Sequence, residues 1–105
     1  MSLIHFNKAG FDKAMEGDDL VMADFWATWC GPCKMLTPVV EQLAGQYDGK
    51  AIIGKVDVDE NPDLAAQFAV MSVPTVIFFK NGKEIDRKVG AMPASAYSAV
   101  LDANL

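Results

Sequence analysis

The chain has 105 residues, a formal net charge of −5 and 51% apolar side chains. That is the size of one domain, spanning 1–105, with enough apolar material for a real core. An acidic balance with 22% charged residues excludes the basic footprint of a nucleic-acid partner or an anionic-membrane binder. Met1 to Phe6 has no basic flank followed by a long apolar core, so neither a secretory signal nor a transmembrane run is expected. The expected location is the cytoplasm, where a lone cysteine pair is seldom a structural staple.

Leu3 to Phe6 predicts a short strand. Asn7 is a helix N-cap candidate, and Phe11, Ala14 and Met15 then fall on one helical face. Gly17-Asp18-Asp19 is turn chemistry. Leu20 to Trp26 is a near-continuous apolar run and predicts a buried strand. From Pro32 onward, Leu36, Val40, Leu43, Ala44 and Tyr47 keep helical spacing, with Pro38 inside the pattern as an expected kink. Asp48-Gly49 ends that helix. Ala51 to Val58 predicts a second buried strand.

Asn61-Pro62 is expected to be an N-cap with proline in the first turn, turning Leu64, Ala65 and Phe68 inward. Thr75 to Phe79 is another core strand. Asn81-Gly82 predicts a tight hairpin, because both residues accept positive φ. Lys83 to Val89 is its partner; Lys83, Glu84, Asp86, Arg87 and Lys88 give it the charge of an edge strand that resists further pairing. Gly90 breaks it. After Pro93, Tyr97, Val100 and Leu101 mark a last amphipathic helix. The order β-α-β-α-β-α-β-β-α predicts an α/β sheet covered on both faces, mostly parallel and closed by one antiparallel hairpin.

The two cysteines of the chain, Cys30 and Cys33, sit where the Leu20–Trp26 strand hands over to the long helix. Sites in sheets of this kind lie past the carboxyl ends of strands. Opening a disulfide needs a thiolate and a second thiol to resolve the mixed disulfide. Cys30 precedes the helix, where free amide hydrogens and the helix dipole favour an anion, so it is the candidate nucleophile. Cys33 follows one turn later as the candidate resolving thiol. Gly31 permits close substrate approach, and Pro32 stiffens the turn. Two other readings stand beside this one. Tetrahedral zinc needs about four ligands; the further histidine, His5, is distant in sequence, which leaves only an intermolecular metal site. Inert buried thiols would give Gly31-Pro32 no role.

The segment Trp26-Ala27-Thr28-Trp29-Cys30-Gly31-Pro32-Cys33-Lys34 resembles the thioredoxin family. The likeness runs over essentially the full length, through Asp24-Phe25-Trp26, Pro38, Lys55, Asp59-Glu60-Asn61-Pro62, Val73-Pro74-Thr75, Lys80-Asn81-Gly82 and Val89-Gly90-Ala91. It implies the thioredoxin fold, a central five-stranded mixed sheet flanked by four helices. It implies a protein-disulfide reductase with a Cys30/Cys33 redox disulfide, no bound cofactor and no metal. Its partners would be disulfide-containing proteins and an NADPH-dependent flavoprotein thioredoxin reductase, and it would act as a monomer. A cis peptide before Pro74, facing the dithiol, is implied too.

Asp24 interrupts an apolar strand, and desolvation should raise its pKa. The residues alone favour a carboxylate paired for structure; the resemblance makes it the proton acceptor for Cys33. The resemblance also pairs Lys55 with Asp24 as the group that tunes it, against the alternative of a lysine snorkelling to the sheet edge. Trp29, Gly31, Pro32, Val73, Pro74, Gly90 and Ala91 would form a mostly apolar substrate surface, with Val73 offering strand-like backbone bonds. Met35, Met71 and Met92 are read first as core filling, ahead of a place at the edge of the site, and His5 as structural or solvated. Two rival functions are a binding module that works without redox turnover, and a secreted oxidant or isomerase.

Overall fold

The protein is described by a computed structural model, which covers residues 3–105. Nine elements follow the expected order: β1 (Leu3–His5), α1 (Lys8–Glu16), β2 (Leu20–Trp26), α2 (Gly31–Gln46), β3 (Ile52–Asp57), α3 (Pro62–Gln67), β4 (Thr75–Lys80), β5 (Lys83–Val89) and α4 (Ala94–Ala103). The strands form one sheet in the order β1-β3-β2-β4-β5. None of the described helices is long and apolar enough to cross a membrane.

The sheet is not mostly parallel. β3 runs parallel to β1 and β2, but β4 is antiparallel to β2 as well as to β5. The reason lies in α3. Its six residues rise only about 9 Å, while a six-residue strand spans about 20 Å. α3 does not carry the chain back along the sheet, and β4 starts at the same pole where β2 and β3 end. That reversal brings Val73 and Pro74 to the pole that holds Cys30.

Alternation along β2 explains its near-continuous apolar run. Leu20 and Met22 face a core closed by Leu36, Val40 and Leu43 of α2 and by Tyr97 and Leu101 of α4. Val21, Ala23 and Phe25 face the opposite layer, with Phe11 of α1 and Leu64 of α3. Phe11 there meets Phe6 and Phe79 edge-on, with ring centroids 5.6 and 5.4 Å apart. Asn7 caps α1 as expected, its side-chain oxygen accepting from the Gly10 amide at 2.8 Å. Asn61 holds the cap position of α3 but makes no cap bond. Its amide instead donates to the Asp57 carbonyl at 3.1 Å, tying α3 to the end of β3.

The hairpin has φ of 54° at Asn81 and 74° at Gly82, joining β4 and β5 across the turn predicted for it. β5 is an edge strand, as its charge load implies. A bulge between Phe78 and Phe79 leaves Ile85 unpaired, and Arg87 pairs with Glu84 at 2.7 Å while donating to the Phe68 carbonyl at 3.0 Å. At the pole opposite the cysteines, Leu20 pairs with Lys80, and the Lys80 ammonium donates to the Asn104 carbonyl at 2.7 Å.

Gly54 lies mid-sheet, between Ile4 on one side and Ala23 on the other. A Cβ there would stand 2.9 Å from the Ile4 carbonyl oxygen and 2.6 Å from a Phe6 ring carbon. Gly54→Ala is expected to cost about 1–3 kcal/mol. The measurement is a lower urea midpoint at unchanged slope; an unshifted midpoint would mean that β1 simply moves aside.

Candidate active site

β2 ends at Trp26, and Ala27–Trp29 turn the chain into α2. Cys30 is the N-cap of that helix, with extended backbone angles (φ −94°, ψ 114°). The Cys30 carbonyl accepts the first helical bond, from Lys34 at 3.2 Å. Its sulfur accepts from the Cys33 amide, also at 3.2 Å. A sulfur in this place meets an unpaired amide hydrogen and the positive end of a sixteen-residue helix, both of which favour the thiolate.

Cys30 and Cys33 are joined as a disulfide, their Cα atoms 5.2 Å apart. They are not equally accessible. Cys30 keeps 5% of its surface exposed and Cys33 none, so an external sulfur can reach only the first. Among the described residues no group of three His, Cys, Asp or Glu side chains is arranged to hold a metal ion.

The peptide bond between Val73 and Pro74 is cis. The Val73 carbonyl oxygen lies 3.7 Å from the Cys30 sulfur. Thr75 holds this approach, its hydroxyl donating to the Ser72 carbonyl at 2.7 Å. Gly90 has φ +88° and donates its amide to the Pro74 carbonyl at 2.8 Å, which brings the segment after β5 alongside. A side chain at that φ would be strained, so a glycine belongs there.

Of the expected surface residues, Trp29, Gly31, Pro32 and Ala91 are exposed and Val73 and Gly90 half-buried. Pro74 departs from that expectation. It is buried, because it opens β4 beneath the dithiol, and contributes backbone shape rather than exposed surface. Trp29 is 69% exposed, with its indole N–H held by Asp59 at 2.9 Å. A shallow cleft beside it is lined by Val58, Val70, Met71, Ser72 and Val73. Met35 and Met71 are exposed at 79% and 92%, so neither fills the core. Met92 does pack against it.

Asp24 is fully buried, and neither of its carboxylate oxygens has a hydrogen-bond partner among the described residues. Burial pushes its pKa up to about 7, with the Lys55 charge pulling the other way. Lys55 faces it in register on β3, yet no ion pair joins the two. The lysine neither pairs with Asp24 nor snorkels to an edge. It is itself buried, and its long stem carries the ammonium over the Trp26 ring, 4.1 Å from the centroid. There it donates to the Thr37 hydroxyl at 2.8 Å, and Thr37 donates to the Cys33 carbonyl at 3.2 Å. Lys55 thus reaches Asp24 through space and the dithiol helix through Thr37. Sequence reasoning missed Thr37 and Asp59. The spacing from Cys33 to Thr37, one turn along the same helix face, was the available signal for the first; nothing local pointed to the second.

Comparison with known proteins agrees with this geometry. The family described as Thioredoxin matches residues 2–103. The chain is 51% identical to the thioredoxin of Staphylococcus haemolyticus and 50% identical to that of Staphylococcus aureus, in each case over 105 residues and the whole of both chains. Among solved structures, a mutant thioredoxin from Halobacterium salinarum superposes with a TM-score of 0.87 at 38% identity, covering 97% of this chain and 88% of that one. A cysteine pair at the head of α2, one sulfur within reach and the other sealed, performs dithiol–disulfide exchange on other proteins, and the chain belongs to the thioredoxin family.

Proposed function

We propose that Cys30 is the nucleophile and Cys33 the resolving thiol of this protein-disulfide reductase, with Asp24 as proton acceptor. The Cys30 thiolate attacks one sulfur of a substrate disulfide, and the other substrate sulfur leaves and takes a proton. Cys33 then gives its proton to the Asp24 carboxylate and attacks the Cys30 sulfur. The second substrate thiolate departs. Two electrons have passed to the substrate, and Cys30–Cys33 is oxidised. The observation that carries this reading is the unequal access of the two sulfurs at a helix N-terminus.

Asp24 suits a proton acceptor because burial brings its pKa near working pH, where it can both take and release a proton. Lys55 supports that role by opposing the rise. Trp29, Gly31, Pro32, Val73, Gly90 and Ala91 would receive an extended substrate segment, with the Val73 backbone adding strand-like bonds and Pro74 shaping that backbone from below.

In this reading, residues 1–105 work as one domain and as a monomer in the cytoplasm. Electrons come from NADPH through a flavoprotein thioredoxin reductase, with no cofactor held by the chain itself. The test is insulin-disulfide reduction with NADPH and a thioredoxin reductase. Sustained NADPH consumption that vanishes in Cys30→Ser is expected. A Cys30→Ser protein that retains its activity would instead mark a binding module.

A further inference from the structure

Lys55 is a buried cation with a choice of partners. Ile53, two residues before it, faces the core closed by α2 and α4, and so does Met22, two residues before Asp24. Alternation therefore turns Lys55 and Asp24 to that same face, in register on neighbouring strands. Opposite charges buried side by side are expected to pair. These do not: neither carboxylate oxygen of Asp24 has a hydrogen-bond partner among the described residues.

The ammonium goes to Thr37 instead. Nζ of Lys55 donates to the Thr37 hydroxyl at 2.8 Å and lies 4.1 Å from the centroid of the Trp26 ring. Thr37 is half-buried on α2, one turn past Cys33, and its hydroxyl donates onward to the Cys33 carbonyl at 3.2 Å. A hydroxyl has one hydrogen to give and lone pairs with which to receive. Giving its hydrogen to Cys33 leaves Thr37 oriented to accept from Lys55. The titratable groups near this pole of the face are Cys33 from α2, Lys55 from β3 and Tyr97 from α4, whose hydroxyl accepts from the Met92 amide at 3.0 Å. Val76, opposite Asp24 on β4, adds none. Lys55 is thus the cation among them, and its position sets how strongly the carboxylate feels a positive charge.

We infer that Thr37 is a positioning residue for the dithiol reaction: its hydroxyl holds the Lys55 ammonium against the Cys33 turn of α2 and keeps it from closing on the Asp24 carboxylate. The kinetic consequence rests on Asp24 as proton acceptor; the placement of the charge does not. Without the hydroxyl, the unpartnered buried oxygens left for the ammonium are those of Asp24. A cation in contact with a carboxylate favours its ionised form. Asp24 would then take the Cys33 proton less readily.

Thr37→Val keeps the branched shape and removes the hydroxyl. In this variant, carboxyl-carbon NMR should show Asp24 titrating about one unit lower, a tenfold loss of proton affinity. The pH profile of mixed-disulfide resolution should move down with it. Thr37→Ser keeps the hydroxyl and should leave the titration where it was. Thr37→Val in a Lys55→Met background should add no shift of its own, because the hydroxyl acts through the ammonium. The same spectra report whether each variant is folded. Should valine disturb the helix, Thr37→Ala, with its better helix former, makes the same measurement. An Asp24 titration unmoved by whichever of these two folds overturns the inference, and so does an equal shift in the absence of Lys55. A shifted titration with an unshifted resolution profile keeps the placement of the charge and removes Asp24 from the proton step.

Discussion

The Cys33→Ser variant is expected to stop turning over disulfides and to accumulate as a covalent adduct with its substrates. Cys30 still sits at the head of α2 and still receives an amide hydrogen from position 33, so its first attack proceeds. What disappears is the thiol one turn away, whose Cα lies 5.2 Å from that of Cys30. Intramolecular attack has an effective molarity far above any free thiol in solution, so turnover should fall by about 10³-fold or more. Non-reducing electrophoresis after exposure to oxidised insulin should show a mixed disulfide that dithiothreitol removes. Cys30→Ser should form no such adduct, because Cys33 is sealed from solvent. Capture by Cys30→Ser instead of Cys33→Ser would reverse the two roles.

Asp24→Asn should make the protein more stable at pH 8 and barely alter it at pH 4. In the unfolded chain Asp24 ionises near its model value of 3.8; in the folded chain it holds its proton up to about 7. Below the lower value both states are protonated, and the group contributes no pH dependence. Between the two values the unfolded chain releases a proton that the native state keeps, so native stability falls as pH rises. Above about 7 the penalty is constant, on the order of 4 kcal/mol for a shift of this size. The Asn variant escapes that ionisation cost, though it keeps a buried polar group and leaves Lys55 without its negative neighbour. A gain of a few kcal/mol at pH 8 is therefore expected. Urea unfolding between pH 4 and pH 8 is the measurement. Parallel stability curves for the two proteins would mean that Asp24 is ionised in the native state throughout, and its value as proton acceptor near neutrality would go with them.

Much of the architecture was legible in short stretches of chain, because local chemistry decides those stretches. Asn81-Gly82 announces a hairpin through backbone freedom, and the apolar run Leu20–Trp26 announces a strand buried on both faces. The direction of β4 was not announced in that way. It depends on the pole to which the segment from Val58 to Pro74 delivers the chain, and the shortness of α3 shows that only once its ends are known. Cys30 and Cys33 stood out because their spacing and the strand-to-helix boundary coincide. Side chains that act at a distance were harder to read. The resemblance pairs Lys55 with Asp24, and the two do stand in register on neighbouring strands, but a flexible four-carbon stem carries the ammonium to Thr37 instead. Asn61 carried a capping signature and spent its amide on Asp57. The anchoring of Met92 by Tyr97 has no local signature at all, since a tyrosine at that position fits the helical pattern as well as any apolar residue.

The contact between Lys80 and the Asn104 carbonyl fixes the polarity of the molecule as a fusion partner. It holds the last turn beside the start of β2 and the end of β4, the full length of the sheet away from the sulfurs. Cargo appended after Leu105 would leave from that far side and keep clear of incoming disulfides.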